Sequence, residues 1–315
     1  CRAEEIIQDH IQKGSQILIY GDYDVDGITS TAILWQVLYQ QGGKVLPFVP
    51  DREADGYGIK ADSFFRIESE KKLHFDLLIT VDNGIVAGKE LEKILKSGTQ
   101  IVVIDHHVAD NSLPKEILTV HSTLTSGSVL SWLVASQIDK SSDLGLAALG
   151  AVTDCMPLNT VNRNIVYHGL QSLRLQPNPG LKKLIQISGS KQDSLTTYDL
   201  GFILGPRINA VGRLSNPTDA LRLLCSQTSQ QANKFVAILD SYNKDRQSLQ
   251  QESLLLAENK ISSDLLSNVS PIEKNKLIFV ADNSFHPGVI GLIAGRLTDK
   301  YYLPSLIISV DNDIS

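Results

Sequence analysis

The sequence predicts an α/β protein: a doubly wound, mainly parallel sheet joined by a long helix to a second, truncated α/β domain. Three observations predict it. Short apolar runs alternate with segments that carry apolar residues at helical spacing. Three of those runs stop at an acid or at an Asp-His-His cluster. A long polar helical stretch is followed by a second strand-helix-strand pattern. The expected boundaries are 1–226 for the first domain, 227–268 for the connecting helix and 269–315 for the start of the second domain.

A helical stretch (AEEIIQDHIQ) opens the chain, and residues 16–20 (QILIY) form the first strand. A helix is expected from Ile28 to Gln40, stopped by Gly42-Gly43. Asp22, Asp24 and Asp26 therefore occupy a strand-to-helix turn. Residues 44–49 (KVLPFV) are the second strand, followed by the glycine-rich loop 51–58. Residues 76–81 (DLLITV) are the third strand, ending in Asp82-Asn83-Gly84, with a helix over 86–96 behind it. Residues 100–104 (QIVVI) are the fourth, ending in Asp105-His106-His107. In an open parallel sheet such strand ends share one edge, where ligand sites collect.

Helices are expected over 128–138 and 144–154, and over 159–187 with a break at 176–180. The string LGPRINAVGRL, residues 204–214, reads as turn-rich, and 229–262 as a connecting helix. A strand at 276–280, a helix to about Lys300 and a strand at 305–310 begin the second domain.

Across 315 residues, 42% hydrophobic and 20% charged content are those of a globular protein, long enough for more than one domain. The net charge of −6 excludes a protein that grips nucleic acid by overall charge, while leaving room for a local basic groove. Cys1, Cys155 and Cys225 are scattered without CxxC spacing, which suits a reducing compartment and supports neither a disulfide framework nor a zinc site. No signal peptide and no bilayer-length apolar run is found, so a cytoplasmic location without membrane contact is expected. The chain opens without Met inside a helix-like stretch and stops soon after a strand-like run; a fragment of a longer, monomeric protein is expected.

Three carboxylates at alternate positions repel one another, so a stable native state calls for a cation among them. The string Asp22-x-Asp24-x-Asp26-Gly27 copies the start of an EF-hand loop. That loop needs a Glu at its twelfth position, which here is Ile33, and a helix before it. Asp24-Val25-Asp26-Gly27 also resembles the nucleophile loop of haloacid-dehalogenase phosphatases, and a solvated acidic turn is the bland alternative. Asp154, at the end of a small apolar helix, is either a buried C-cap or a further carboxylate ligand. Arg52 is either a phosphate ligand or a surface arginine. Residues 204–214 are either a structural loop with exposed arginines or a phosphate-contacting segment. His286 either faces a cleft or is structural.

Carboxylates with one or two imidazoles and no thiolate favour Mn²⁺ or Mg²⁺. The candidate set, Asp22, Asp24, Asp26, Asp82, Asp105, His106, His107 and Asp154, exceeds what one ion needs. Two ions with Asp82 as the bridging carboxylate are expected, and the matching reaction class is hydrolysis of a phosphate ester or anhydride.

These residues resemble the DHH phosphoesterase family, named for the triplet matched by Asp105-His106-His107. Its four motifs are matched by Asp22/Asp24/Asp26, by Asp82, by the triplet and by Asp154. GDYDVDGITS, residues 52–58 with their GYG, and GPRINAVGRL resemble the family's branch of single-strand-specific exonucleases. The resemblance implies a processive 5′ to 3′ exonuclease that releases mononucleotides from single-stranded DNA with Mn²⁺ or Mg²⁺, in recombination and repair. It implies metal binding by Asp22, Asp24, Asp26, Asp82, His106 and Asp154, although many relatives begin the first motif differently from Asp22. Asp105 would orient the histidines, and His107 would place or protonate the scissile phosphate. Arg52, Arg207, Asn209, Arg213 and His286 would hold the DNA, and a helicase and a single-strand-binding protein are candidate partners.

Two departures from the family pattern stand out. Ser284-Phe285 replaces a frequent tryptophan, and the second domain stops before its later glycine-rich segment, with no oligonucleotide-binding domain beyond. Two other functions fit the motifs less fully. One is a phosphodiesterase for short oligonucleotides or cyclic dinucleotides; the other is a non-catalytic DNA-binding scaffold on the same fold.

Overall fold

The computed structural model describes residues 2–52, 54–266 and 277–310. Cys1, Glu53, Lys276, the end of the expected 227–268 helix and the first residues of the 269–315 domain lie outside the described residues. The chain divides into two compact units, Cys1–Asp240 and Ser241–Ser315.

In the first unit, α1 (Arg2–Lys13) leads into β1 (Gln16–Tyr20), α2 (Val25–Gln40) and β2 (Lys44–Phe48). Then come α3 (Ala61–Lys71), β3 (Leu77–Val81), α4 (Gly88–Lys96), β4 (Gln100–Asp105) and β5 (Leu118–His121). The five strands form one sheet in the order β2-β1-β3-β4-β5, every pair parallel. This is the doubly wound fold expected. The strand order reverses between β1 and β3, so the carboxyl ends of those two strands open a crevice at the switch point.

The apolar runs are legible because both faces of such a sheet are covered. Leu18, Tyr20, Leu78, Ile101 and Val103 point to one side and pack with Phe64, Ile67, Leu91 and Ile94 of α3 and α4. Ile17, Ile19, Ile79 and Val102, at the alternate positions, are equally buried. Each such side chain removed from water contributes about 1.5–3 kcal/mol.

A helical layer follows: α5 (Gly127–Ile138), α6 (Leu144–Thr153), α7 (Thr160–Leu175) and α8 (Pro179–Ser188). A π-helical turn, Asp199–Leu204, runs straight into α9 (Gly205–Leu214), followed by α10 (Thr218–Leu224) and α11 (Ser229–Leu266). The sequence LGLAALGAVT makes α6 almost free of bulk, so neighbours approach closely: a Cβ on Gly169 of α7 would lie 2.4 Å from that of Ala148.

Two expectations are corrected. The string 204–214 is helical rather than turn-rich: Pro206 sits where the π-helical turn passes into α9, and Ile208, Ala210 and Val211 are buried. The second helix begins at Val25 rather than Ile28, because Asp24 caps it by accepting the Gly27 amide at 3.0 Å. Asp26 thus lies within the first helical turn.

In the second unit, β6 (Ile278–Asp282) and β7 (Ser305–Ser309) pair in parallel, with α12 (Ile290–Tyr301) between them in the chain. Val280, Phe285, Ile293 and Leu297 form its core with Ala257 and Ile261.

Candidate metal centre

The acids are delivered by several different pieces of the fold. Asp22 and Asp24 follow β1, Asp26 opens α2, Asp82 ends β3, Asp105 and the histidines end β4, and Asp154 is the C-cap of α6. Three sets of ligand atoms result, with all members of a set within 4.8 Å: Asp22/Asp24/Asp82, Asp26/His106/Asp154, and Asp82/His106/His107. Asp82 and His106 each belong to two sets, so the acids expected from sequence to bind metal converge on one place. His106 Nε2 lies 3.1 Å from Asp82 Oδ1, 3.7 Å from Asp154 Oδ2 and 3.9 Å from Asp26 Oδ2.

Asp26 is fixed by the N-terminus of α5: its Oδ2 accepts the Gly127 amide at 2.6 Å and its Oδ1 the Ser128 amide at 3.0 Å. Gly127 and Ser128 are thus functional positions that sequence reading did not single out. The signal available was Ser126, an N-cap serine directly ahead of an apolar helix. Two glycines make room for the carboxylates. A Cβ on Gly127 would come within 2.8 Å of Asp82 Oδ1, and one on Gly150 within 2.5 Å of Asp26 Oδ1.

Asp105 is buried but well served. Burial alone would raise its carboxyl; hydrogen bonds from the His107 ring and the Ile85 and His107 amides outweigh it and hold the group below its ordinary value. Its contact with His107 runs from Nδ1 to Oδ1 at 2.8 Å, and this bond raises the His107 pKa. Asp105 reaches His106 only through that residue's backbone amide, so it orients one histidine ring and not both. Burial lowers His106.

Asp22, Asp82 and Asp154 are less well compensated. Burial, then Asp24, pushes Asp22 up to about 7; burial, then Asp26 and Asp24, does the same to Asp154. Asp82 is pushed well above the carboxylate range by burial and then by Asp26, Asp24, Asp22 and Asp105. Asp22 Oδ1 is buried and accepts no hydrogen bond, and Asp82 Oδ1 has only His106 Nε2 beside it, at 3.1 Å but out of hydrogen-bond alignment. Orphaned oxygens, hard O and N donors and the lack of any thiolate in these sets fit a hard divalent cation.

Of the candidate DNA contacts, Arg52 is exposed and its charge, together with that of Arg213, bears on Tyr23 at the acidic turn. Gly212 packs on the Tyr23 carbonyl, which seats the end of α9 against that turn. Arg207 is turned inward, donating to the Ile203 carbonyl at 2.7 Å and to Asp240 at 3.4 Å. Asn209 is half-buried on the same helix. His286 belongs to the second unit, where its Nδ1 accepts the Gly288 amide. A cavity of about 670 Å³ opens beside Asp105 and His107, with Tyr57, Lys60, Val86 and Lys89 in its walls.

The parallel sheet carries at its switch point a cluster of carboxylates and histidines that could hold metal ions, and the model of the DHH family, N-terminal domain, matches residues 16–156. The chain belongs to the DHH family. Within it, the likeness is to RecJ. The crystal structure of exonuclease RecJ bound to manganese superposes with a TM-score of 0.84 at 30% identity, over 98% of this chain and 79% of that one. The magnesium complex of RecJ from Thermus thermophilus gives 0.72 at 27% identity, over 98% and 42%. The single-stranded-DNA-specific exonuclease RecJ of Bacillus subtilis is 33% identical over 99% of this chain. The chain spans 40% of that relative's length. Among the described residues, no helix is long and apolar enough to cross a membrane.

Proposed function

We propose that this chain carries the two-metal centre of a 5′ to 3′ exonuclease that hydrolyses single-stranded DNA to mononucleotides, with Mn²⁺ or Mg²⁺ as the ions. The observation that carries the reading is the sharing of Asp82 and His106 between adjoining ligand sets. Asp22, Asp24 and Asp82 would hold one ion, and Asp26, His106 and Asp154 the other. When bound, such a pair supplies an acidified water and polarises the phosphoryl oxygens.

The chain's own groups do the rest. Asp105 engages His107 Nδ1, which leaves Nε2 as the ring nitrogen available to a phosphate oxygen. The α5 amides keep Asp26 from rotating, so one wall of the site is fixed before substrate arrives. Arg52 and Arg213, flanking Tyr23, supply cationic donors at the edge of the acid cluster where a DNA backbone would pass. Arg207, Asn209 and His286 are the further backbone contacts in this reading. Single-stranded DNA as substrate calls for a helicase to expose it and a single-strand-binding protein to hold it open.

The test compares hydrolysis of a long 5′-phosphorylated single strand with that of a dinucleotide in Mn²⁺. Release of mononucleotides from the long strand supports the proposal. Preference for the dinucleotide would assign the site to a short-oligonucleotide phosphodiesterase instead.

A further inference from the structure

Asn162 lies in the first turn of α7, is 1% exposed, and directs its side-chain hydrogen bonds to groups other than the acids. Its amide spends both of its donors and one of its two acceptor sites on two other segments. Nδ2 donates to the Leu124 carbonyl at 2.9 Å and to the Pro157 carbonyl at 3.0 Å, while Oδ1 accepts the Thr125 hydroxyl at 2.6 Å. The first segment runs directly into Ser126-Gly127-Ser128, whose amides hold Asp26. The second begins at Asp154 and is tied back to α6 by the Cys155 amide on Val152 and the Met156 amide on Ala151. One side chain therefore joins the loop that fixes Asp26 to the loop that carries Asp154.

We infer that Asn162 is a positioning residue that sets the separation of Asp26 and Asp154, and so tunes the Asp26/His106/Asp154 ion site more strongly than the Asp22/Asp24/Asp82 site. The inference rests on the metal reading of the cluster. The chemistry is selective for asparagine. Aspartate at 162 would turn carboxylate oxygens toward two carbonyl oxygens, and an apolar residue would remove both donors that tie the Leu124 and Pro157 carbonyls together, leaving Pro157 only the local Asn159 amide. A residue that merely filled space would weaken folding and, with it, both ion sites alike.

The test is Mn²⁺ binding to the intact chain, by calorimetry for stoichiometry and by electron paramagnetic resonance for the coupled pair. The wild type should take up two ions. Asn162→Ala should bind one with little changed affinity and the other at least about tenfold more weakly, with the spin-coupled signal diminished, and Asn162→Asp should be worse. Thr125→Val, which removes one of the three bonds, should show a smaller loss at the same ion; it serves if Asn162→Ala does not fold. Two ions at wild-type affinity in these variants, or equal weakening of both in step with thermal stability, would overturn the assignment. A wild type that binds no Mn²⁺ would instead overturn the metal reading beneath it.

Discussion

Gly150 offers the sharpest separation of folding from function. In Gly150→Ala the new methyl would sit 2.2 Å from Ser128 Oγ and 2.5 Å from Asp26 Oδ1, against the 3.4 Å at which ordinary contact begins. Those atoms must part by about 1 Å, a displacement large enough to break the two amide bonds that hold Asp26. Overpacking of this kind costs about 1–3 kcal/mol, and alanine regains about 1 kcal/mol over glycine within a helix. The net effect on folding is therefore about 0–2 kcal/mol. At the metal site nothing offsets the shift, because Asp26 would have to bind from a place its partners do not share. Mn²⁺ titration should show at least a tenfold loss of affinity at one ion, while urea denaturation in EDTA shows a small change. Wild-type Mn²⁺ affinity in this variant would refute the reasoning, since it would mean that the α5 cradle does not fix Asp26.

Other outcomes follow from the same geometry. Asp82→Asn should abolish Mn²⁺ binding and nuclease activity yet stabilise the metal-free chain, by relieving a buried carboxylate of four acidic neighbours; a lower midpoint in EDTA would contradict this. Asp22 and Asp154, pushed up to about 7 by burial first, stay protonated in the folded chain between about pH 4 and 7, where the unfolded chain has lost those protons. That stabilising contribution is complete below about pH 4 and gone above about pH 7, so metal-free stability should fall across this window and Mn²⁺ should restore it. Midpoints in EDTA that rise from about pH 5 to about pH 8 would refute the assignment. Arg213→Ala should weaken single-stranded DNA binding and flatten its salt dependence while leaving Mn²⁺ binding intact. Arg207→Ala should cost stability as well, since it removes the bonds to Asp240 and the Ile203 carbonyl; a purely DNA-binding defect would show that these contacts do not matter.

Much of the site was legible because its chemistry and its topology coincide. Strands such as 77–81 are unbroken apolar runs, and an acid directly after such a run has no packing reason to be there. Sequence reading failed where tertiary contacts overrode local signals. Gly205, Pro206, Asn209 and Gly212 punctuate α9 like a loop, but Gly212 is required by the Tyr23 carbonyl, 2.8 Å from where a Cβ would stand. The fifth strand, LTVH, is short and half exposed at the sheet edge, so neither length nor alternation announced it. Arg207 looked like any DNA-facing arginine, because nothing local marks Asp240 as its partner.

Asp82 adopts φ +59°, a left-handed conformation that asparagine or glycine takes more easily, and does so buried among other acids. Backbone, solvation and charge all oppose this residue at this position. A library of variants sorted for yield or heat tolerance would therefore drift away from aspartate here, and its best performers would be inert. Screens on this scaffold need an activity gate at every round, and a stability gain that maps to residue 82 should be read as a warning.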